Sequence, residues 1–165
     1  MTETEIFSST RSKLLEQGLT IVDEDLTRPW GGFFLISGAE ISLFLSHYFP
    51  DIMLPEWSKS LRMDPKILMV KPEKRLSWQK HDRRGEVWRV VEGSVGVMTS
   101  QTDIQPELPT IYKVGESIEI PQGTRHRLIG LDDWGVVAEI WVSTNQEHPT
   151  DEMDNIRLQD DYGRK

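Results

Sequence analysis

From Lys66 onward the chain is cut into short β-branched and apolar runs, each closed by turn residues, and that segmentation constrains the fold more than any other feature. Ile67–Val70 runs into Pro72, Glu86–Val91 into Gly93, Thr110–Lys113 into Gly115 and Ser117–Ile120 into Pro121. Arg75–Gln79, Ser94–Thr99, Arg125–Leu128 and Val136–Val142 read as further strands. Many short strands separated by Gly, Pro, Asp and Asn predict an all-β antiparallel barrel or sandwich.

Two segments read as helices instead. Ile6–Gln17 carries apolar residues at Ile6, Phe7, Leu14 and Leu15 and is stopped by Gly18, predicting a helix packed across the outside of the barrel. Ile41, Phe44, Leu45 and Tyr48 follow the i, i+3, i+4, i+7 spacing of an amphipathic helix, which Pro50 ends. This helix lies in an insertion over 39–65, expected either to dock on the barrel or a partner subunit or to cover a pocket as a lid. His47 within it reads as a surface or packing residue. Thr20–Val22 is a candidate strand. The tail over 145–165 is acidic and polar; its composition alone reads as disorder, with Ile156, Leu158 and Tyr162 as candidate anchors.

The 165 residues are expected to form a single domain: an N-terminal helix and arm over 1–27, the insertion, a barrel core over 66–142 and the tail. There is no cysteine, so neither disulfides nor thiolate metal ligation can operate, and a reducing cytoplasm is the expected compartment. Met1–Gly18 carries Glu3, Glu5, Arg11 and Lys13 with no unbroken apolar run, so neither a signal peptide nor a membrane span is expected. A formal charge of −8 argues against nucleic acid as a partner. A small phosphorylated ligand remains compatible, because a few local Arg or Lys side chains suffice to hold it.

The chemistry concentrates in Gln79–Gly93. Gln79 and His81 share one strand face, Asp82–Gly85 turns the chain, and Glu86, Trp88 and Val90 share a face of a second, neighbouring strand. Gly93 supplies a positive-φ turn. A second stretch, Gly115–His126, turns at Pro121 and Gly123 and brings His126 as a fourth donor. Two imidazoles and two oxygens suit one divalent Zn, Fe, Mn, Co or Ni ion better than Mg or Ca. Glu139, the only charge in Val136–Val142, shares parity with Val137 and Trp141. On an inward face such a carboxylate is costly unless paired or functional.

These spacings resemble the paired motifs of the cupin superfamily, whose fold is a jelly-roll barrel. More narrowly they resemble the type II mannose-6-phosphate isomerase cupins, through Arg28-Pro29-Trp30-Gly31, Leu76-Ser77-x-Gln79-x-His81-x-x-Arg84-x-Glu86-x-Trp88, Ile120-Pro121-x-Gly123-x-x-His126-Arg127-Leu128 and Asp160-Asp161-Tyr162-Gly163-Arg164. The chain departs from the wider pattern with Gln79 where cupins usually carry His, Gly130 where Asn is common, and the insertion after Ser37. The resemblance implies metal-dependent aldose–ketose isomerisation of a sugar phosphate, such as mannose 6-phosphate to fructose 6-phosphate. Other hexose, pentose or heptose phosphates and unphosphorylated sugars such as lyxose stay open, as do a non-catalytic sugar-binding cupin and a metal-dependent dioxygenase. No Gly-rich nucleotide loop is seen, so nucleotide-sugar synthesis is not expected. The implied catalytic groups are Glu139, Glu86 and Lys66. Arg84, Arg127 and Arg164 are expected to meet phosphate or hydroxyls, and Trp88 to wall the sugar. A homodimer is implied by the resemblance alone.

Overall fold

A computed structural model describes residues 1–164. Two antiparallel sheets face each other. One has six strands: β1 (Ile21–Arg28), β2 (Gly31–Ile36), β3 (Lys66–Val70), β10 (Gly135–Ser143), β5 (Arg84–Glu92) and β8 (Ser117–Ile120), in that order. The other has five, ordered β11 (Ile156–Gln159), β4 (Trp78–Lys80), β9 (Arg125–Gly130), β6 (Ser94–Ser100) and β7 (Thr110–Lys113). From β3 onward most connections cross from one sheet to the other, which is a jelly-roll arrangement.

Crossing corrects one expectation. Gln79 and Glu86 do not lie on paired neighbouring strands, because β4 pairs with β9 and β11 whereas β5 pairs with β10 and β8. The intervening turn is also shorter than Asp82–Gly85, since β5 begins at Arg84. The donors converge across the gap between sheets, not along a hairpin.

Side-chain parity divides the core into two layers. On β10, Val136, Ala138 and Ile140 face outward with Ile67, Met69 and Phe34 toward the helices. Val137 faces inward with Leu68, Val70, Trp88 and Leu128 between the sheets. Both faces of β10 are therefore buried, which explains why its sequence is an apolar run instead of an alternation.

Helix α1 (Glu3–Glu16) starts three residues before the expected Ile6 because Thr2 and Glu5 form a reciprocal capping box. It buries Ile6, Phe7 and Leu14. Helix α2 (Ile41–Tyr48) sets Phe44 and Tyr48 into the same outer layer, so this part of the insertion docks on the barrel and is not a lid. His47 contacts the Gln17 carbonyl, outside the core. After Arg28-Pro29-Trp30, Gly31 adopts φ 144°, and a Cβ there would lie 1.9 Å from the Met69 carbonyl oxygen. That close approach lets β2 pair with β3 directly. β1 extends well beyond Thr20–Val22, and the strand expected over Arg75–Gln79 is reduced to β4 plus an isolated bridge at Arg75. Among the described residues no helix is long and apolar enough to cross a membrane.

The tail is ordered over its described residues, 145–164. β11 pairs with β4, Arg75 reaches Asp161, and Arg83 reaches Asp151. Composition pointed to disorder because these anchors are ion pairs and strand hydrogen bonds to distant residues, which leave no apolar periodicity behind.

Candidate metal centre and its cavity

His81, Glu86 and His126 come together in the space between the sheets, their ligating atoms all within 4.8 Å of one another. His81 Nε2 lies 2.9 Å from Glu86 Oε1 and 3.2 Å from His126 Nε2, and all three residues are at most 3% exposed. Gln79 pairs directly with His126 across β4 and β9 and opens onto the adjoining cavity.

The outer nitrogens decide what the inner ones can do. His81 Nδ1 is 2.7 Å from the Asp154 carbonyl oxygen and His126 Nδ1 is 2.9 Å from that of Thr124. A carbonyl only accepts, so each Nδ1 must donate, and in neutral rings both Nε2 atoms are left as acceptors. The Arg84 guanidinium lies 3.4 Å from His81 Nε2 and 3.1 Å from Glu86 Oε1 at the edge of the cluster, which leaves the His126 Nε2 lone pair facing the other two groups. Carbonyl-anchored imidazoles with inward Nε2 lone pairs are the supporting arrangement of metal-binding histidines. The donor set therefore fits a divalent ion.

Charge reinforces this. Burial pushes His126 down to about 4, against the pull of Glu86, so its ring is unprotonated at neutral pH. Burial alone would raise Glu86, but His81, Arg84 and His126 outweigh it and hold the carboxylate well below its ordinary range. In the metal-free protein, Zn, Mn, Fe(II), Co or Ni ions at a hundred times their dissociation constant are expected to raise stability by about 2.7 kcal/mol. Thermal denaturation with and without a chelator measures this; no shift with any of them would remove the metal reading.

The cavity beside this cluster has a volume of about 390 Å³. Glu139 opens onto it although the residue is 7% exposed, confirming the inward parity. Burial first, then the neighbouring Glu86 charge, pushes its carboxyl up to about 8. Trp88 is not on the cavity wall. Its ring is 1% exposed, and its indole N–H reaches Glu86 Oε2 at 3.2 Å and Glu139 Oε2 at 2.9 Å, so it holds the two carboxylates instead of walling a sugar. The aromatic walls are Trp30, Phe33 and Trp141.

The expected cations separate. Lys66 borders the cavity opposite Glu139 on β3, its Nζ 4.4 Å from the Trp141 ring centroid. Arg84 also borders it, but its guanidinium is spent on Glu86 Oε1 at 3.1 Å, Thr150 Oγ1 at 3.1 Å and two tail carbonyls, over the Trp141 ring at 3.8 Å. It orients Glu86. Arg164 lines the cavity, braced by Asp160 at 2.7 Å.

Arg127 is not in the site. One residue after His126, it faces the opposite side of β9, where it is fully buried under the tail and donates to the Leu76 carbonyl at 2.7 Å and Gln105 Oε1 at 2.9 Å.

Sequence reasoning missed Asp154. Its carboxylate accepts the backbone N–H groups of Asp82 and Arg83 at 2.9 and 3.0 Å, and its carbonyl orients His81. One acid among many in a polar tail gives no sequence signal for a partner more than seventy residues away. Asp64, Glu152, Asn155 and Arg157, which also border the cavity, were missed for the same reason.

Comparison with known proteins places this geometry among relatives. The family described as "Mannose-6-phosphate isomerase C-terminal" has a model matching residues 55–160. A mannose-1-phosphate guanylyltransferase of Sinorhizobium fredii is 31% identical over 110 residues, 67% of this chain and 16% of that protein. An Escherichia coli protein of the same name is 29% identical over 143 residues, covering 87% of this chain and 24% of the relative. The chain thus spans a quarter or less of the length of these relatives. Oxalate decarboxylase from Bacillus subtilis superposes with a TM-score of 0.54 at 13% identity, over 78% of this chain and 28% of the other. KdgF from Halomonas gives 0.50 at 12%, over 76% and 91%. At those identities the likeness is one of fold.

Proposed function

The chain belongs to the mannose-6-phosphate isomerase C-terminal family, and from that premise we propose that it is a metal-dependent aldose–ketose isomerase acting on a sugar phosphate, mannose 6-phosphate to fructose 6-phosphate or a close analogue. The observation that carries this reading is the placement of a protonatable carboxyl, Glu139, beside the His81, Glu86 and His126 cluster and open to a sugar-sized cavity.

Isomerisation of the open-chain sugar moves one proton from C2 to C1 and one from the O2 hydroxyl to O1, with negative charge developing on both oxygens on the way. A divalent ion held by His81, Glu86 and His126, with Gln79 as an oxygen donor, would supply Lewis-acid stabilisation of that charge. Proton movement falls to Glu139. Burial, and then the charge of Glu86, raise its carboxyl above the ordinary range, which favours the protonated form and suits a group that must take a proton and return it. Lys66, opposite Glu139 in the strand pairing, lowers the cost of its ionised form. Trp88 keeps the Glu139 carboxyl pointed at the same place through both halves of the reaction.

Glu139→Gln preserves shape and removes the proton acceptor. It is expected to lower kcat by about 10²–10⁴-fold while sugar phosphate binding persists. Metal-loaded protein tested on a panel of aldose and ketose phosphates, with deuterium incorporation at C1 and C2 as the readout, decides the matter. Absence of exchange or product with every sugar would leave a binding module, not an isomerase.

A further inference from the structure

One side of the His81, Glu86 and His126 cluster is held by a segment that apolar packing does not fix. Between β10 and β11, residues 144–155 form no helix or strand, and none of their apolar side chains is buried, Met153 being 87% exposed. Yet Thr150 and Asp154 in the same segment are only 3% and 5% exposed. Strand register explains how they arrive there. Ile156 pairs with Lys80, and continuing that antiparallel register two residues back from β11 sets Asp154 against Asp82, the residue after His81.

Asp154 grips the turn from both of its polar ends. Its carboxylate accepts the N–H groups of Asp82 and Arg83 and, at 2.8 Å, the hydroxyl of Thr150. Its carbonyl accepts His81 Nδ1 at 2.7 Å and an N–H of the Arg84 guanidinium at 3.3 Å. Thr150 closes the circuit, because its hydroxyl oxygen accepts from Arg84 at 3.1 Å, and Arg84 in turn donates to Glu86. Two of the three clustered donors, His81 and Glu86, therefore take their orientation through contacts with the tail.

We propose that residues 150–154 are a clasp whose closure assembles the metal centre, so that docking of this segment and affinity for the ion rise and fall together. Asp154 is its positioning residue, acting through His81 and Arg84. Polar contacts of this kind are exchanged for contacts with water at small net cost, and segments with few buried apolar side chains open ahead of the rest of a fold. Opening frees the His81 ring to rotate and turn Nε2 away from Glu86 and His126. Linkage makes the effect reciprocal: the factor that closure adds to metal affinity is the factor that bound metal adds to closure. The tail is then a metal-responsive segment. This inference rests on the metal reading of the cluster and is independent of which sugar, if any, is isomerised.

Cobalt(II) titration of the full chain, followed by visible absorption, measures one direction of the linkage. Asp154→Asn keeps the shape of the side chain, but whichever way its amide turns, an NH2 group meets a backbone N–H that the carboxylate now accepts. The variant is expected to weaken cobalt affinity about 10–100-fold, the range for a residue that supports a ligand. Thr150→Val is expected to lose several-fold. Arg127→Ala, which loosens the tail at its far end through Asp161, is the comparison, losing stability without losing metal affinity. Hydrogen exchange of the unaltered chain measures the other direction: saturating cobalt is expected to slow exchange of the Asp82 and Arg83 amides by the same factor that Asp154→Asn costs in affinity. That measurement decides even where neither variant folds. Unchanged cobalt affinity in folded Asp154→Asn and Thr150→Val, or exchange at Asp82 and Arg83 that bound cobalt leaves unaltered, overturns the clasp while the metal centre stands. An equal loss of affinity in Arg127→Ala and Asp154→Asn also overturns it, since general loosening would then account for both. A chain that binds neither cobalt nor zinc takes the clasp and the metal reading down together.

Discussion

Replacement of His126 by alanine is expected to abolish divalent-metal binding at the cluster and with it all isomerase turnover. Its Nε2 lone pair faces the other two groups of the cluster, 3.2 Å from the Nε2 of His81. Loss of a direct ligand should exceed the roughly 10–100-fold that even a supporting residue costs in metal affinity. The ring is fully buried, so the variant also opens a cavity, and the measurement must separate the two effects. Metal content after dialysis and the metal-induced rise in melting temperature both report on the centre itself. A folded His126→Ala protein that still gains the full metal-dependent stabilisation would show that the ion, if any, binds elsewhere. Glu86→Gln provides the same test with almost no change in volume. There the charge is lost together with one acceptor, since Arg84 donates to Oε1 and Trp88 to Oε2 and an amide keeps only one acceptor oxygen.

Arg127→Ala is expected to act on stability and not on chemistry. The side chain is fully buried and ties β9 to the Leu76 carbonyl, to Gln105 in the loop before β7, and to Asp161 in the tail at 3.3 Å. Truncating it leaves buried acceptors unmet and a void where the guanidinium lay, a cost of about 3 kcal/mol. Urea denaturation should show the lowered midpoint, and the shift produced by saturating metal should be unchanged. A variant with normal stability but weakened sugar-phosphate binding would instead return Arg127 to the substrate site.

The contrast between Arg127 and Arg157 shows what the sequence could carry. Arg127 stands beside His126 in a motif, and proximity along the chain suggested proximity in space. Alternation on a strand says the opposite: successive side chains leave opposite faces, so the neighbour of an inward histidine points out. Arg157 sits in a polar tail with no motif of its own, yet its register against Gln79 sets it on the cavity side. Glu139 was legible for the converse reason, since a single charge inside an apolar run can be placed by parity alone. Trp88 was placed correctly by parity, on the face of Glu86, but parity could not say whether its ring met solvent, ligand or two carboxylates.

Short runs broken by turn residues were enough to determine an all-β antiparallel chain, and two spaced motifs were enough to pick out His81, Glu86 and His126, which the fold brings together. Those are local properties, fixed by the strand period and by where backbone turns are allowed. What only the tertiary structure decided was which strands face one another. β4 and β5, adjacent in the chain, part into different sheets, and the tail returns to pair with β4, orient His81 through Asp154 and bring Arg157 into the cavity. Such contacts join residues many tens of positions apart, and their energy resides in strand pairing and charge placement that leave no periodic trace in the sequence.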